Sequence, residues 1–224
     1  MTENLKFQID ELILHQPKLI YKDDTQHELV IIEGSYEYNL YEKKFVAKGE
    51  KKIKIIIPYS FPSEQLNVYI MERRPYKFSH FFVDGRICVA ASGEINYFLT
   101  TSPSIEDYLD RFLNPFIFSL DWFDLYNTYP FEERSHGAKG LLEYYLESYN
   151  LTVKGFVNLA EIFISKKEMV RSPIIFQNNC FCGSGIQMRK CHGSFYRTLV
   201  LNELTIDKFT KEAKTILYYL KNSN

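Results

Sequence analysis

The chain has 224 residues, of which 46% are hydrophobic and 16% aromatic, enough for one fair-sized core or a domain of about 150 residues with an appended module. Its 27 basic and 28 acidic residues leave a formal charge of −1, so it lacks the basic excess of a nucleic-acid binder; local groups such as Lys166, Lys167, Arg171 and Arg189, Lys190, Arg197 read as solvated faces. The segment Met1–Lys6 does not open a secretory leader, and no run approaches the roughly eighteen apolar residues of a membrane span, so a cytoplasmic protein meeting neither membrane nor nucleic acid is expected.

Leu5, Ile9, Leu12 and Ile13 fall at i, i+4, i+7 and i+8 and predict an amphipathic helix over residues 5–15. Three runs rich in β-branched and aromatic residues follow, 29–40, 51–57 and 67–71, with a fourth at Phe45 to Ala47. The separations are too short for crossover helices, so the strands predict an antiparallel four-stranded meander. Pro58-Tyr59-Ser60-Phe61-Pro62 then forms a stiff loop, because two prolines remove backbone donors.

After Cys88 the chain turns polar as far as Pro103. Ser104 reads as the N-cap of a helix with Asp107 in its first turn and Ile105, Leu109, Phe112, Leu113, Phe116 and Leu120 along one side; Pro115 is expected to kink or split it. Further helices are predicted over 137–149 and 206–220, the latter from Phe209, Ala213, Ile216, Leu217 and Leu220, and a short amphipathic stretch over 156–164 leads into the cysteine cluster. The fold class is therefore α+β, with one domain over 1–150 and a helical extension over 151–224.

Four cysteines divide three to one. Cys180, Cys182 and Cys191, with His192 beside the last, make a Cys-x-Cys-x8-Cys-His cluster; three thiolates and one imidazole are a tetrahedral zinc shell with no position left for water. Gly183 and Gly185 permit the tight turn such a shell needs. Clustering at metal-ligand spacing favours a reducing compartment over a disulfide framework. The run 180–193 resembles the SEC-C motif, a small zinc knuckle found on many unrelated bacterial proteins, in its Cys-x-Cys-Gly-Ser-Gly, its spacing and its Cys-His pair; Gln187 stands where a lysine is usual. The resemblance implies a structural or partner-docking role.

That leaves Cys88, at the end of His80-Phe81-Phe82-Val83-Asp84-Gly85-Arg86-Ile87-Cys88. Two readings stand side by side: a small buried hydrophobe, or a nucleophile. The order of helix, antiparallel strands, Pro-aromatic-Pro loop, histidine, Gly-x-Ile-Cys and helix resembles the ubiquitin-conjugating (UBC) family over about residues 1–150. Pro58 to Pro62 resembles that family's Tyr-Pro-x-x-Pro-like loop, His80 its histidine, and Asp84 to Cys88 the approach to its thioester-forming cysteine. Phe81-Phe82 stands where eukaryotic members have Pro-Asn, so the asparagine assigned to the oxyanion is missing, and the step from His80 to Cys88 is short.

These departures, with Ser135-His136-Gly137 heading a helix that carries Glu143, Tyr144 and Tyr145, resemble divergent bacterial UBC-like proteins of ubiquitin-like conjugation and anti-phage cyclic-oligonucleotide signalling (CBASS) operons. The resemblance implies an enzyme that accepts a protein's carboxyl-terminal acyl group on Cys88 and transfers it to a lysine, with structural zinc as its cofactor. Its implied partner is a protein substrate, such as a cyclic-oligonucleotide synthase or a ubiquitin-like protein. For His80 it implies loop bracing, beside which a catalytic role stays open; for Cys88 the alternatives are an inactive UBC-like adaptor and a cysteine hydrolase.

Overall fold

The computed structural model of the chain describes residues 1–42, 45–72 and 77–223. It divides into two compact units, Met1–Ala90 with Thr101–Glu133, and Ala91–Thr100 with Arg134–Asn224. The expected boundary at 150 falls inside the second unit, because Leu141, Leu142, Tyr144 and Tyr145 belong to its hydrophobic cluster.

In the first unit Thr2 accepts a hydrogen bond from the N–H of Leu5 and caps α1 (Glu3–His15), whose buried residues Leu5, Ile9 and Leu12 share one face. Four strands follow: β1 (Leu19–Asp24), β2 (Leu29–Glu42), β3 (Phe45–Pro58) and β4 (Asn67–Ile70). They form one antiparallel sheet in the order β1-β2-β3-β4. The α+β class, with a four-stranded antiparallel sheet and flanking helices, is thus present. Its strands are not all those expected. Phe45 to Ala47 and 51–57 are one strand, and β1 is a strand the hydrophobic pattern did not reveal, since only Leu19 of its six residues is buried and no alternation marks it.

The register sets Val30 opposite Ile57, Ile32 opposite Ile55 and Ile53 opposite Ile70, so one face of the sheet gathers fully buried β-branched side chains. Each contributes about 1.5–3 kcal/mol by leaving water. The second helical element lies against this face. Ser104 and Asp107 form a capping box at α3 (Ile105–Tyr108), a π-helical turn (Leu109–Leu113) follows, and α4 (Asn114–Tyr126) continues. Pro115 does not break the run. It sits in the first turn of α4, directly after a wide turn in which the Asn114 N–H reaches the Leu109 carbonyl, and that turn absorbs the missing proline donor. Tyr36 donates to Asn114 Oδ1 at 3.0 Å and Tyr38 to Asp121 Oδ2 at 2.7 Å, tying β2 to α4.

The second unit is helical: α2 (Ser92–Leu99), α5 (Gly137–Ser148), α6 (Val153–Ser165), α7 (Gly193–Leu199) and α8 (Glu203–Asn222), joined by short 3-10 turns. Phe156, Leu159 and Phe163 of α6 meet Phe209, Ala213 and Ile216 of α8 in its core, with Tyr196 fully buried. The α2 helix lies in the stretch read as a polar loop; its Ile95 and Leu99 are buried, but polar neighbours hide so short a period. Among the described residues no helix is long and apolar enough to cross a membrane.

Candidate functional site

Residues 80–88 form a small hairpin. Gly85, at φ 93°, closes its turn by donating to the Phe82 carbonyl at 3.0 Å, a backbone conformation that favours glycine. The Phe82 N–H donates to the Arg86 carbonyl at 2.8 Å, Phe81 bridges Ile87, and the Cys88 N–H donates to the His80 carbonyl at 2.9 Å. The hairpin hangs on the edge of the sheet, since Arg86 bridges Tyr69 of β4 and the Ile87 N–H donates to the Val68 carbonyl at 2.9 Å.

Extended-chain alternation then decides which side chains stay reachable. Ile87 is buried, while Arg86 and Cys88 are half-buried. Cys88 lies just past the last bridge, outside the four strands. Burial pushes its thiol up from the usual range; the Arg86 charge opposes this and the Glu133 charge adds to it. The Arg86 guanidinium sits 4.4 Å from the centre of the Phe82 ring and donates from Nη1 to Asn67 Oδ1 at 3.0 Å. Its Nε is buried without a hydrogen-bond partner among the described residues.

A ring nitrogen of His80 lies within 4.8 Å of Cys88 Sγ. The imidazole is held by aromatic edges, with the Phe78 and Tyr129 rings each 5.4 Å away, and its Nε2 pairs with Glu133 Oε2. Asn127, in the left-handed conformation, ends α4 and turns the chain back. Tyr129 then ties that chain to the hairpin by accepting the Ser79 N–H at 3.0 Å, and Glu133 arrives beside His80. The expected pair of Cys88 and His80 is therefore adjacent. Glu133 and Tyr129 were not singled out by sequence, and nothing local pointed to Glu133.

The second cluster lies in the helical unit. Cys180 is buried, Cys182, Cys191 and His192 are half-buried, and their donor atoms all lie within 4.8 Å of one another, a group that could hold a metal ion. Cys182 and Cys191 sulfurs are 3.7 Å apart, and His192 Nδ1 is 3.3 Å from Cys180 Sγ and 3.1 Å from Cys191 Sγ. His192 Nε2 donates to the Tyr149 carbonyl at 2.8 Å, which leaves Nδ1 as the lone-pair nitrogen facing the sulfurs.

The backbone supports this spacing. The Cys180 N–H donates to the Ile186 carbonyl at 2.7 Å and the Gly183 N–H to the Cys180 carbonyl at 3.1 Å, with Gly183 and Gly185 at φ 85° and 74°. Asn158 of α6 donates to the Phe181 carbonyl at 2.9 Å, and Phe181 and Met188 enter the hydrophobic cluster. The cluster is thus part of the core of its unit. Among protein-family models and curated proteins, none matches this chain.

Proposed function

We propose that the chain is a thioester-forming enzyme of the ubiquitin-conjugating (UBC) type, in which Cys88 accepts the carboxyl-terminal acyl group of a protein and yields it to a lysine. The observation that carries this reading is a half-buried thiol at the end of a hairpin on an antiparallel meander, with His80 opposite it in the backbone register. A cysteine acting only as filler would be buried as Ile87 is; Cys88 is half-buried. Thioester exchange and aminolysis need a nucleophilic sulfur and an approach to it. By resemblance, the partner class is a cyclic-oligonucleotide synthase or a ubiquitin-like protein of a bacterial defence or modification system.

The knuckle of the second unit is read as SEC-C-like and as a structural zinc site. The donor set fits: tetrahedral zinc bonds of about 2.3 Å to sulfur and about 2.0 Å to nitrogen place donors about 3.5–3.8 Å apart. The observed sulfur–sulfur separation of 3.7 Å lies in that range, and the sulfur–nitrogen separations of 3.3 and 3.1 Å are slightly shorter than it. Cys180, Cys182, Cys191 and His192 would hold the ion and close its shell, so the metal supplies folding energy and no reaction chemistry.

One observation favours a second reading, an adaptor without chemistry. Phe82, which stands where the resembled family has its asparagine, carries an exposed ring 4.4 Å from the Arg86 guanidinium, so the position that supplies a polar donor in that family is occupied by an apolar ring. Expression with the native operon separates the two. A thiol-sensitive adduct on the wild type, absent from Cys88→Ala, supports the enzyme; its absence from every variant supports the adaptor.

A further inference from the structure

Three side chains from separated parts of the first unit converge at the hairpin: a thiol, an imidazole and a carboxylate. Cys88 and His80 are brought together by the hairpin register, and Glu133 arrives from the segment after α4 to meet His80 Nε2. We propose that Glu133 is the positioning residue of a Cys88–His80–Glu133 relay, in which His80 carries protons for the acyl transfers at Cys88. The inference rests on the thioester reading of Cys88 and deepens it by assigning how the proton moves.

The chemistry follows from the donor and acceptor inventory. A carboxylate can only accept, so the Nε2 that faces Glu133 bears the proton; the relay assigns Nδ1 as the nitrogen that exchanges one with Cys88, whose sulfur lies within 4.8 Å of a ring nitrogen. The aromatic edges of Phe78 and Tyr129 prevent the ring from turning away. A separation of up to 4.8 Å is one that a single water, or closure on substrate binding, would span.

In loading, His80 takes the proton of the Cys88 thiol as its sulfur attacks the carbonyl carbon of a donor thioester. The new S–C bond forms, the donor S–C bond breaks, and the proton passes to the departing donor thiolate. In discharge, a lysine amine attacks the Cys88 thioester; the C–N bond forms and the Cys88 S–C bond breaks. His80 takes the amine proton and returns it to the Cys88 sulfur. No oxidant or further reactant enters either step. Burial holds the resting thiol protonated, which is why a base beside it has work to do.

The test measures iodoacetamide alkylation of folded full-length protein at pH 7, with Cys88 resolved by mass spectrometry, and compares Glu133→Gln, Glu133→Asp, His80→Phe and the Glu133→Gln/His80→Phe double variant. Glutamine keeps the shape of the side chain but no longer selects the tautomer, and phenylalanine keeps the ring packing but has no nitrogen. We expect Glu133→Gln and His80→Phe each to slow the Cys88 reaction about tenfold or more, with unchanged melting temperature. The double variant should be no slower than His80→Phe, and Glu133→Asp should recover part of the rate.

A Glu133→Gln rate within about twofold of wild type would overturn the relay, as would effects of the two substitutions that multiply, or a Cys88 that does not alkylate in folded wild type. Failure of the relay is separable from failure of the thioester reading. A Cys88 adduct in the operon experiment together with an unchanged Glu133→Gln rate discards Glu133 and keeps the enzyme.

Discussion

The backbone N–H of Cys88 donates to the carbonyl of His80 at 2.9 Å, so the register of one hairpin sets the spacing between thiol and imidazole. That bond is made by main-chain atoms. Substituting either side chain leaves the register in place and removes only the chemistry.

Cys88 is accordingly the position at which function can be removed without unfolding the unit. Co-expression with the native operon should yield a thiol-sensitive mass adduct on wild type and none on Cys88→Ala. Cys88→Ser should trap a thiol-resistant oxyester and Cys88→Lys an amide, because each replaces only the leaving atom. Intact-mass spectrometry reads all four; wild type that stays free of adduct refutes the acceptor role.

Freshly purified protein should carry about one zinc per chain by elemental analysis. Cys182→Ser should lose the metal and unfold the helical unit while leaving the sheet intact, since metal binding at such sites is worth on the order of 10 kcal/mol. Limited proteolysis with fragment mass mapping tests this. Cleavage confined to 91–100 and 134–224 in the variant is the expected pattern, and metal-free wild type with a stable helical unit is the contrary one.

Glu212, buried on α8, accepts hydrogen bonds from Tyr145 at 2.5 Å and Asn96 at 2.7 Å. Burial raises its pKa above the ordinary 4.5, and hydrogen bonds from Tyr145, Ser92 and Asn96 and the charge of Lys208 only partly offset that. With the folded pKa above the unfolded one, the contribution of protonated Glu212 is complete below about pH 4.5 and is lost as pH rises through the folded value. The melting temperature of Glu212→Gln relative to wild type should therefore increase between pH 4.5 and pH 8. A constant difference would show that the carboxyl has the same pKa folded and unfolded.

Ile55 is fully buried at the centre of β3, facing Ile32 on one side and Val68 on the other. Ile55→Ala should destabilise the first unit by about 2–5 kcal/mol, combining lost transfer energy with a cavity the sheet cannot close. Urea unfolding followed by Cys88 alkylation reports it locally. Ile56→Ala, on the less buried face of the same strand, should cost clearly less.

What the sequence determined by itself was what is local. The metal-type cluster was legible because its four donors fall within thirteen consecutive residues and glycines mark its turns. Cys88 and His80 were named together through the resemblance alone, and the hairpin that joins them is a finding of the structure; the meander was legible because β-branched runs alternate with turns. Ser104 and Asp107 announced their capping box in the same way.

The tertiary structure decided what depends on distant partners. β1 is a strand because β2 offers it an edge, although five of its six residues are not buried. The helix through Pro115 runs on because a π-helical turn precedes the proline and takes up its missing donor, and α2 forms where burial of Ile95 and Leu99 overrides a weak local pattern. Glu133 reaches His80 across 53 positions of chain through the turn at Asn127 and the Tyr129 tie to Ser79. A carboxylate in a connecting segment has no periodicity to read, so only the fold could bring it to the imidazole.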